Sequence, residues 1–468
     1  MAKVVVVGGG PAGLATALFS ARRGHDVVVV ERDGGPPDDG PDEDFASWAQ
    51  PGAPQARHSH NFLARACLIL DQEAPDLIEE LTGRGALRTA VDVAGKGADQ
   101  GDSAFALLSR RLVFEAVLRR GAQGEPGITI LSGTAVAGLL ANGSGRVPVV
   151  GGIRTTDGEV VPADIVVDAG GRRSAAPSWL QQCGCRPPAL QVQPCGFHYH
   201  TRFYRLVEGA MFPSTSIPII AELDYATVMV MPGDNRSFSL TLAVSADDRL
   251  RRRLREPEVF ERALAAVPLT QPWLEVGEPL SGIHLMGGIE NRWRRLIDVE
   301  DRPLVGGFVL VGDASLHTNP TFGRGISLAF AQAQHFASTA EQVDADPVGY
   351  VAAFESWTST NLGIWYRSQV AADGARLEQI AAGLRGEHLA PSDNATVRFI
   401  AAMVALARID VVVARALARV AHLLMSPAEL FRDTQVVQRV EAYLDQHPVI
   451  DPPVEGPSRS TFERLASA

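Results

Sequence analysis

The chain of 468 residues contains little cysteine and no pattern of ligands for a structural metal. Its four cysteines are Cys67, Cys183, Cys185 and Cys195. Four are too few for the disulfide scaffold of a small secreted protein, so the sequence predicts free thiols. No set of histidines and cysteines has the spacing of a structural zinc site, and we expect no metal.

The chain also lacks an excess of positive charge. It carries 43 lysines and arginines against 54 aspartates and glutamates, which gives a net charge of -11. Binding to nucleic acid needs a concentrated basic surface, and no segment resembles a nucleic-acid-binding module. Composition therefore excludes nucleic acid as the main partner. With 46% hydrophobic residues, the sequence indicates an ordinary globular protein with a sizeable core.

Uninterrupted apolar runs long enough to span a bilayer are missing. The run from Lys3 to Val7 is stopped by Gly8, and no small-residue cleavage site follows it. The apolar segment 396–425 is interrupted by arginines and by Asp410, which favours a core-packed helix or pair of helices. We therefore expect a cytoplasmic protein without stable membrane insertion.

What is present begins with one βαβ unit at the N-terminus. Residues 3–7 and 26–31 have the pattern of buried strands, and residues 11–23 have that of a helix. Directly after the first strand comes Gly8-x-Gly10-x-x-Gly13, the pattern of a dinucleotide-binding turn. Gly8 permits the tight turn, Gly10 lets a pyrophosphate approach the backbone, and Gly13 lets helix and strand pack closely.

The acidic residue that ends the second strand narrows the choice of nucleotide. Glu31 can accept hydrogen bonds from ribose hydroxyls, and its carboxylate would repel the additional phosphate of NADP. The unit therefore predicts a site for FAD or NAD. The predicted contacts in this part of the site are Gly8, Gly10, Pro11, Ala12, Gly13, Glu31, Arg32 and Val136.

Two later motifs favour FAD over NAD. One strand leads into Asp168-Ala169-Gly170-Gly171, and another leads into Gly312-Asp313, which is followed by Asn319-Pro320 and Gly323-Arg324-Gly325. Asp313 can accept hydrogen bonds from a ribityl chain, and the helix starting near Gly325 would point amides at the flavin edge where negative charge collects on reduction. An NAD enzyme has no use for that second site. The predicted flavin contacts are Asp168, Gly312, Asp313, Gly323, Gly325 and Ile326.

Between residues 196 and 244 the pattern changes to alternating strands. A turn at 232–235 joins two of them, which predicts an antiparallel sheet. Two rows of side chains alternate along its first strand: His198, His200, Arg202 and Tyr204 in one row, and Phe197, Tyr199, Thr201 and Phe203 in the other. The first row, with His60, supplies the candidate substrate contacts. The alternative is a solvated outer face with the aromatic row packed inward.

Other segments carry no predicted function. Residues 33–44 are acidic and rich in glycine and proline, so we expect a mobile, solvated loop. Residues 247–267 have the pattern of a helix whose arginines form a solvated face. A hydrophobic strand returns at residues 305–312, and the pattern beyond residue 342 is helical.

In their order and spacing, the three motifs resemble those of the class A flavoprotein monooxygenases, the para-hydroxybenzoate hydroxylase-like family. The resemblance implies an α/β fold: a Rossmann-type FAD-binding domain with an inserted antiparallel β-sheet substrate domain and a C-terminal helical region. It also implies that an arginine at a helix start reaches the cofactor, and Arg111 aligns with it better than Arg110. The predicted boundaries are 1–190 and 299–385 for the FAD-binding domain, 191–298 for the substrate domain and 386–468 for the helical region.

Two stretches resemble a narrower branch, the bacterial polyketide-tailoring flavoproteins that include polyene epoxidases. They are residues 51–60 and 319–326, in which Phe322 and Arg324 replace the Tyr and Gln expected in that branch. The implied function is insertion of one oxygen atom from O2 into a small hydrophobic organic substrate. The implied reaction is epoxidation or hydroxylation in secondary metabolism, such as antibiotic biosynthesis.

In that family, reduced flavin and O2 form a C4a-hydroperoxide, and the protein positions the substrate and excludes water. The catalytic candidates are Asn319 and Pro320 in the loop beside the flavin, with Arg57 and His58 in a second loop. Gln55 and Arg57 are candidate hydrogen-bond donors. A histidine could deprotonate a phenol, whereas an alkene needs no base. Only one nucleotide fingerprint is present, so electrons would come from transiently bound NAD(P)H or from a partner flavin reductase.

Other functions share this scaffold. Flavin halogenases carry a Trp-x-Trp-x-Ile-Pro segment and a catalytic lysine; the sequence lacks that segment, and its two lysines are Lys3 and Lys96. Flavin-dependent reductases of isoprenoid double bonds deliver hydride instead of oxygen, and a flavin-bound protein without turnover is a third alternative. Turnover at full rate without O2 would distinguish a reductase from a monooxygenase.

Overall fold

The computed structural model describes residues 1–36, 40–48, 53–91, 104–142, 147–213, 219–387, 394–450 and 455–467. Strands β1–β19 and helices α1–α16 are numbered in chain order. Within these ranges, no helix has the length and apolar character needed to cross a membrane. Pro51 and Gly52 of the stretch 51–60, part of the acidic segment 33–44, and Lys96 lie outside the described residues.

A five-stranded parallel sheet forms the centre of the nucleotide-binding part, in the order β18-β10-β1-β2-β6. Its strands are β1 (Lys3–Val7), β2 (Asp26–Glu31), β6 (Ile128–Ser132), β10 (Ile165–Asp168) and β18 (Phe308–Leu310). β1 and β10 are valine-rich runs buried on both faces, as expected for a parallel sheet with covered faces. The last strand returns to this sheet after the whole antiparallel insertion.

Helices from three separated segments pack into a second core beside the sheet. α1 (Pro11–Ala21) lies against α9 (Gly325–Thr339) and α5 (Arg111–Gly124), and the rings of Phe19 and Phe330 meet edge to face at 5.9 Å. These helices begin at the three predicted cofactor-contacting segments near Gly10, Arg111 and Gly325. Their N-termini therefore converge at one edge of the sheet.

The inserted sheet is antiparallel, in the order β13-β14-β15-β12-β16. Its strands are β12 (Phe197–Leu206), β13 (Ile220–Leu223), β14 (Ala226–Pro232), β15 (Ser237–Ser245) and β16 (Gly277–Met286). α7 (Pro257–Ala265), α8 (Gln271–Glu275) and α16 (Arg459–Ser467) pack against it around Phe238 and Trp273. The predicted α/β fold with an antiparallel insertion and C-terminal helices is confirmed.

Three smaller sheets complete the strands. They are β3 (Asn61–Phe62), β4 (Leu87–Ala90) and β5 (Phe105–Leu108); β7 (Val136–Asn142), β8 (Val149–Thr155) and β9 (Val160–Pro162); and β11 (Ala189–Pro194), β17 (Glu290–Arg295) and β19 (Leu316–His317). The third sheet joins the two large parts, because β17 follows the antiparallel sheet and β19 follows the last parallel strand.

The remaining helices flank these sheets or form the C-terminal region. They are α2 (Pro41–Ser47), α3 (Ala64–Glu73), α4 (Pro75–Gly83), α6 (Ala176–Gln182), α10 (Pro347–Asn361), α11 (Gly363–Leu384), α12 (Ala395–Leu406), α13 (Val411–Ala421), α14 (Pro427–Leu430) and α15 (Thr434–Gln446). α12 and α13 pack through Met403 and Val413, so the apolar segment 396–425 is a core-packed pair of helices, as predicted.

Two of the segments without predicted function differ from the expectation. In the acidic segment 33–44, α2 forms from Pro41, and Asp42 pairs with the arginines Arg110 and Arg205. The sequence pattern missed these distant partners. The predicted helix 247–267 is a 3-10 turn over Arg249–Arg255 followed by α7, because Pro257 starts a new helix.

A buried carboxyl in α10 should make stability depend on pH. Glu355 accepts a hydrogen bond from the amide of Leu296 at 2.9 Å, and burial raises its pKa to about 7 from 4.5. Because the folded state favours the protonated acid, stability should fall as pH rises from 4.5 to 7. The loss should reach about 3 kcal/mol. In Glu355→Gln this component should be missing, so the variant should gain stability relative to wild type between pH 5 and pH 8. Urea unfolding of both proteins at the two pH values measures this difference, and a constant difference would contradict the assignment.

Candidate active site

A cavity follows the carboxyl edge of the parallel sheet and continues to the antiparallel sheet. Its walls include the segments that follow β1, β2, β6, β10 and β18, which is where open α/β sheets bind ligands. Met286 of β16 and Ile289 line its part at the antiparallel sheet. The predicted cofactor contacts on its wall are Gly8, Gly10, Pro11, Ala12, Glu31, Arg32, Arg111, Val136, Gly312, Asp313, Gly323, Gly325 and Ile326.

Glycine is needed at the three fingerprint positions for three different structural reasons. Gly8 has φ +107°, and a Cβ there would lie 2.6 Å from the carbonyl oxygen of Ala169. A Cβ on Gly13 would collide with the carbonyl of Gly8, so Gly13 serves the predicted close packing and does not line the cavity. A Cβ on Gly10 would meet no protein atom within 4 Å. The space beside Gly10 is therefore free for a ligand.

Glu31 orders the turn at the far end of the cavity. Its carboxylate accepts hydrogen bonds from the amides of Gly9 and, at 2.8 Å, of Asp33. Arg119 lies on the same wall and donates to the hydroxyl of Ser132 at 2.8 Å. The end of β2 thus places an acceptor beside a cationic wall, which suits a ribose next to a phosphate.

Arg111, and not Arg110, reaches the cavity. Arg111 is the first residue of α5, lines the cavity and pairs with Glu115. Arg110 is almost fully buried, and its guanidinium binds the carboxylate of Asp234. One arginine faces the ligand space, while its neighbour joins the nucleotide-binding part to the antiparallel sheet.

The cofactor contact predicted for Asp168 is wrong. Asp168 is fully buried and is absent from the cavity wall; burial raises its pKa, although Ser174 and the amide of Gly170 donate hydrogen bonds to it. These two bonds hold the turn after β10. The residues of that turn, 169–175, line the cavity instead. Asp168 therefore holds the backbone of this turn in place without contacting the cavity.

Asp313 is placed where an acceptor for a ribityl chain was predicted. It lines the cavity, and His317 Nδ1 lies 3.2 Å from its carboxylate. Burial opposes ionisation, but the interactions with His317, Arg111 and Arg172 outweigh it and lower the pKa of Asp313. The group is therefore an ionised acceptor at neutral pH.

The two residues predicted as catalytic in the loop after β19 have different positions. Pro320 lines the cavity, whereas Asn319 is fully buried behind it. The Asn319 side chain accepts a hydrogen bond from Tyr199 at 2.5 Å and donates to Asp373 at 2.9 Å. Its amide donates to Asn291 at 2.7 Å. Asn319 therefore fixes the loop, and Pro320 presents it to the cavity.

Of the residues predicted in the second loop, His60 and Gln55 line the cavity, and Arg57 and His58 do not. The guanidinium of Arg57 donates instead to the backbone carbonyls of Ala46 and Trp48. His58 is buried, with Nδ1 2.8 Å from the hydroxyl of Thr201. Arg57 and His58, which were predicted as catalytic, therefore do not line the cavity, and their side chains hold the loop in place.

The two histidines of this loop are neutral. Burial, with a smaller contribution from His284, lowers the pKa of His58 to about 3. Burial and the charge of Arg111 lower the pKa of His60 to about 3 as well. Neither ring can carry a stable positive charge at neutral pH.

The substrate row predicted on β12 lies on the wrong face of the sheet. His198, His200, Arg202 and Tyr204 are absent from the cavity wall. His200 contacts the carbonyl of Arg251 at 2.8 Å, and Arg202 and Tyr204 contact Glu261 of α7 at 2.7 and 3.1 Å. This row is covered by the segment 249–265, which the period of two could not reveal.

The opposite row of β12 faces the nucleotide-binding part. Tyr199 contacts Asn319, Thr201 contacts His58, and the ring of Phe203 lies 4.8 Å from that of Phe45. The alternative prediction is therefore correct that the aromatic row packs inward. It is wrong that the first row is solvated, since His200 and Tyr204 are buried.

Several cavity residues were not predicted. Ser59 lies between His58 and His60 in the sequence. Its hydroxyl is 2.7 Å from the hydroxyls of Ser239 and Thr241 on β15. Met286 ends β16, Ile289 lies three residues after it, and both add apolar side chains to the cavity wall. No sequence motif marks them; only alternation along β15 and β16 could have suggested which side chains share a face.

These residues fit FAD. The free space at Gly10 and the N-terminus of α1 suit a pyrophosphate, Glu31 suits a ribose, and Asp313 suits a ribityl chain. The N-terminus of α9 at Gly325 lies on the wall where the predicted flavin edge would be. Within the described ranges, no group of histidine, cysteine and acidic side chains could hold a metal ion.

Comparisons with known proteins agree with this assignment. The model of the FAD dependent oxidoreductase (DAO) family matches residues 3–112. Protein Rv3254 of Mycobacterium tuberculosis (strain ATCC 25618 / H37Rv) is 28% identical over 355 residues, 71% of this chain and 71% of that protein. A tryptophan 2-halogenase of Chondromyces crocatus is 24% identical over 381 residues; the match covers 78% of this chain and 66% of the halogenase.

Solved structures show the same fold at low sequence identity. A flavoprotein/dehydrogenase from Cytophaga hutchinsonii has a TM-score of 0.62 at 16% identity, covering 95% of this chain and all of that chain. PqsL, a probable FAD-dependent monooxygenase from Pseudomonas aeruginosa, has a TM-score of 0.59 at 14% identity, covering 81% of this chain and 98% of that chain. Residues 3–112 are therefore similar to the FAD dependent oxidoreductase family, the cavity fits FAD, and the chain shares its fold with these solved flavoproteins.

Proposed function

We propose that the protein is a monooxygenase that inserts one oxygen atom of O2 into a small hydrophobic organic substrate, by epoxidation or hydroxylation. The observation that carries the proposal is the composition of the cavity at the antiparallel sheet. The apolar side chains of Met286 and Ile289 line this cavity together with the hydroxyl of Ser59, the neutral ring of His60 and Pro320. Such a chamber suits an apolar molecule with a few polar atoms.

Bound FAD would supply the activation of O2, and the chain's own residues would place the substrate and keep it dry. Met286 and Ile289 exclude water from the substrate end of the cavity, which prevents wasteful decay to hydrogen peroxide. Ser59 can donate or accept one hydrogen bond that orients a substrate hydroxyl. Asn319, held by Tyr199 and Asp373, keeps the Pro320 loop in one position during turnover.

Halogenation is the second candidate, because one relative is a tryptophan 2-halogenase. The described part of the chain offers it little support. Lys3 opens β1 at the end of the strand opposite to the cavity, and Lys96 lies outside the described residues. A flavin-dependent reductase of an isoprenoid-type double bond is the third candidate and would need no O2.

One experiment separates the three. The FAD-loaded protein, supplied with NADH, NADPH or a flavin reductase, would be incubated with a panel of polyene and phenolic compounds under ¹⁸O2 in the presence of bromide. We expect a product that is heavier by one ¹⁸O atom and that does not form without O2. A brominated product would favour halogenation, and an unlabelled reduced product formed anaerobically would favour the reductase.

The electron donor can be determined in the same preparation. We propose that NAD(P)H binds transiently or that a separate flavin reductase provides reduced flavin, since the chain carries one nucleotide fingerprint. Anaerobic mixing with NADH or NADPH should bleach the flavin absorption if the donor binds directly. Activity that requires an added reductase would indicate the partner instead.

A further inference from the structure

A buried guanidinium lies directly behind the wall of the flavin site. Arg324 is the residue before α9, and its neighbours Gly323 and Gly325 both line the cavity. Only 6% of the Arg324 surface is exposed. A charge in this position is costly unless something neutralises it.

The immediate contacts of Arg324 do not neutralise it. The guanidinium lies 4.7 Å from the ring of Phe322 and 5.3 Å from that of Trp365, and Nη1 donates weakly to the carbonyl of Trp365 at 3.5 Å. Its Nε finds no acceptor among the described residues, and no carboxylate lies within ion-pair distance there. Burial lowers the pKa of Arg324 to about 10, which still leaves the group charged at neutral pH.

A buried carboxylate that makes no ion pair with Arg324 acts on it through its charge. Asp373 lies on the same helix as Trp365, α11, and attracts Arg324 electrostatically. It accepts hydrogen bonds from the side-chain amides of Asn291 at 2.7 Å and of Asn319 and Gln369 at 2.9 Å. Burial raises the pKa of Asp373, and the three donated hydrogen bonds act in the opposite direction by favouring its ionised, accepting form.

The second negative charge that can interact with Arg324 is the one that bound FAD gains on reduction. Two-electron reduction of FAD adds two electrons and one proton, so the isoalloxazine gains one negative charge. In a low-dielectric wall, a fixed cation beside the cavity stabilises that charge, and a fixed anion at similar depth opposes it. The neutral helix terminus alone would supply only a partial charge.

We propose that Arg324 tunes the cofactor electrostatically by favouring the reduced form of FAD, and that Asp373 limits this effect. The inference concerns the bound FAD and does not depend on whether the reaction is oxygenation. It gives a role to Arg324, which departs from the Gln expected by resemblance. Both residues act through the electric field at the cavity. Neither Arg324 nor Asp373 lines the cavity itself.

The test is the midpoint potential of FAD bound to the full-length protein, measured by dithionite titration against reference dyes. Arg324→Gln should lower the preference for reduced over oxidised FAD by about tenfold, a fall of about 30 mV for a two-electron couple. Asp373→Asn should raise the potential, and the double variant should return close to the wild-type value. Arg324→Lys keeps the charge and should stay near wild type.

A purely structural role would not produce shifts of opposite sign. An unchanged potential in Arg324→Gln, or a shift of Asp373→Asn in the same direction, would overturn the proposal. Arg385→Gln is the matched control, because Arg385 is exposed and paired with Glu387, and it should leave the potential unchanged. If Asp373→Asn fails to fold, the comparison of Arg324→Gln with Arg324→Lys decides alone.

Discussion

Replacing Asp234 with alanine should destabilise the protein by about 3–5 kcal/mol, because the change removes the only fully buried carboxylate partner of the Arg110 guanidinium among the described residues. Asp234 is fully buried, and Arg110 is 2% exposed. The carboxylate accepts the backbone amide of Arg110 at 2.6 Å and its Nε at 3.0 Å. The loss can be measured by urea unfolding followed through tryptophan fluorescence.

Asp42→Ala is the matched control for this prediction. Asp42 also contacts Arg110, at 2.7 Å, but its side chain is 36% exposed, so water can replace it. Its removal should cost less than about 1 kcal/mol. Equal effects of the two alanine variants, or a stable Asp234→Ala protein, would show that the buried pair does not hold the antiparallel sheet to the start of α5.

The second large effect is expected on cofactor binding, from the change Gly10→Ala. Gly10 has φ -79°, which alanine adopts freely, and the added Cβ would meet no protein atom within 4 Å. The apoprotein should therefore melt at the wild-type temperature. The same methyl group enters the space predicted for the pyrophosphate, so FAD should bind about ten- to a hundredfold more weakly.

Two other glycines control this experiment. Gly124→Ala adds a methyl group where no atom lies within 4 Å, far along α5 from the cavity, and should change neither quantity. Gly8→Ala should lower both the melting temperature and the affinity, because its Cβ would clash with Ala169 and its φ is positive. Fluorescence titration of FAD and thermal melts provide the two readouts. Normal affinity in Gly10→Ala would place the pyrophosphate elsewhere.

The local parts of the site could be predicted because their chemistry is local. Gly8, Gly10 and Glu31 lie within one βαβ unit, where the spacing of residues fixes their geometry. Asp313 and Pro320 follow strand ends in the same way and also reach the cavity. Asp168 has the same sequence context but turns inward, because Ser174 and Gly170 satisfy its carboxylate.

The remaining errors have one physical origin, which is that packing partners distant in sequence choose between equivalent faces. The period of β12 defines two rows, but only the placement of α7 decides that Arg202 is covered and Tyr199 points to the loop. In the same way, nothing near Asn319 indicates that Asp373, on a later helix, holds its side chain. Likewise, the positive charge of Arg57 would suit a cofactor, but its guanidinium donates to the backbone carbonyl of Trp48 instead.

The late return of β18 to the parallel sheet has a consequence for biosynthesis. Until the ribosome has made residues 308–326, β10 lacks its outer neighbour, and the growing chain lacks Asp313, the Pro320 loop and the start of α9. The open edge of β10 is then available for pairing with other chains, a hazard for aggregation. A fragment that ends before Phe308 should therefore aggregate, and FAD can be bound at the complete site only after residues 308–326 have left the ribosome.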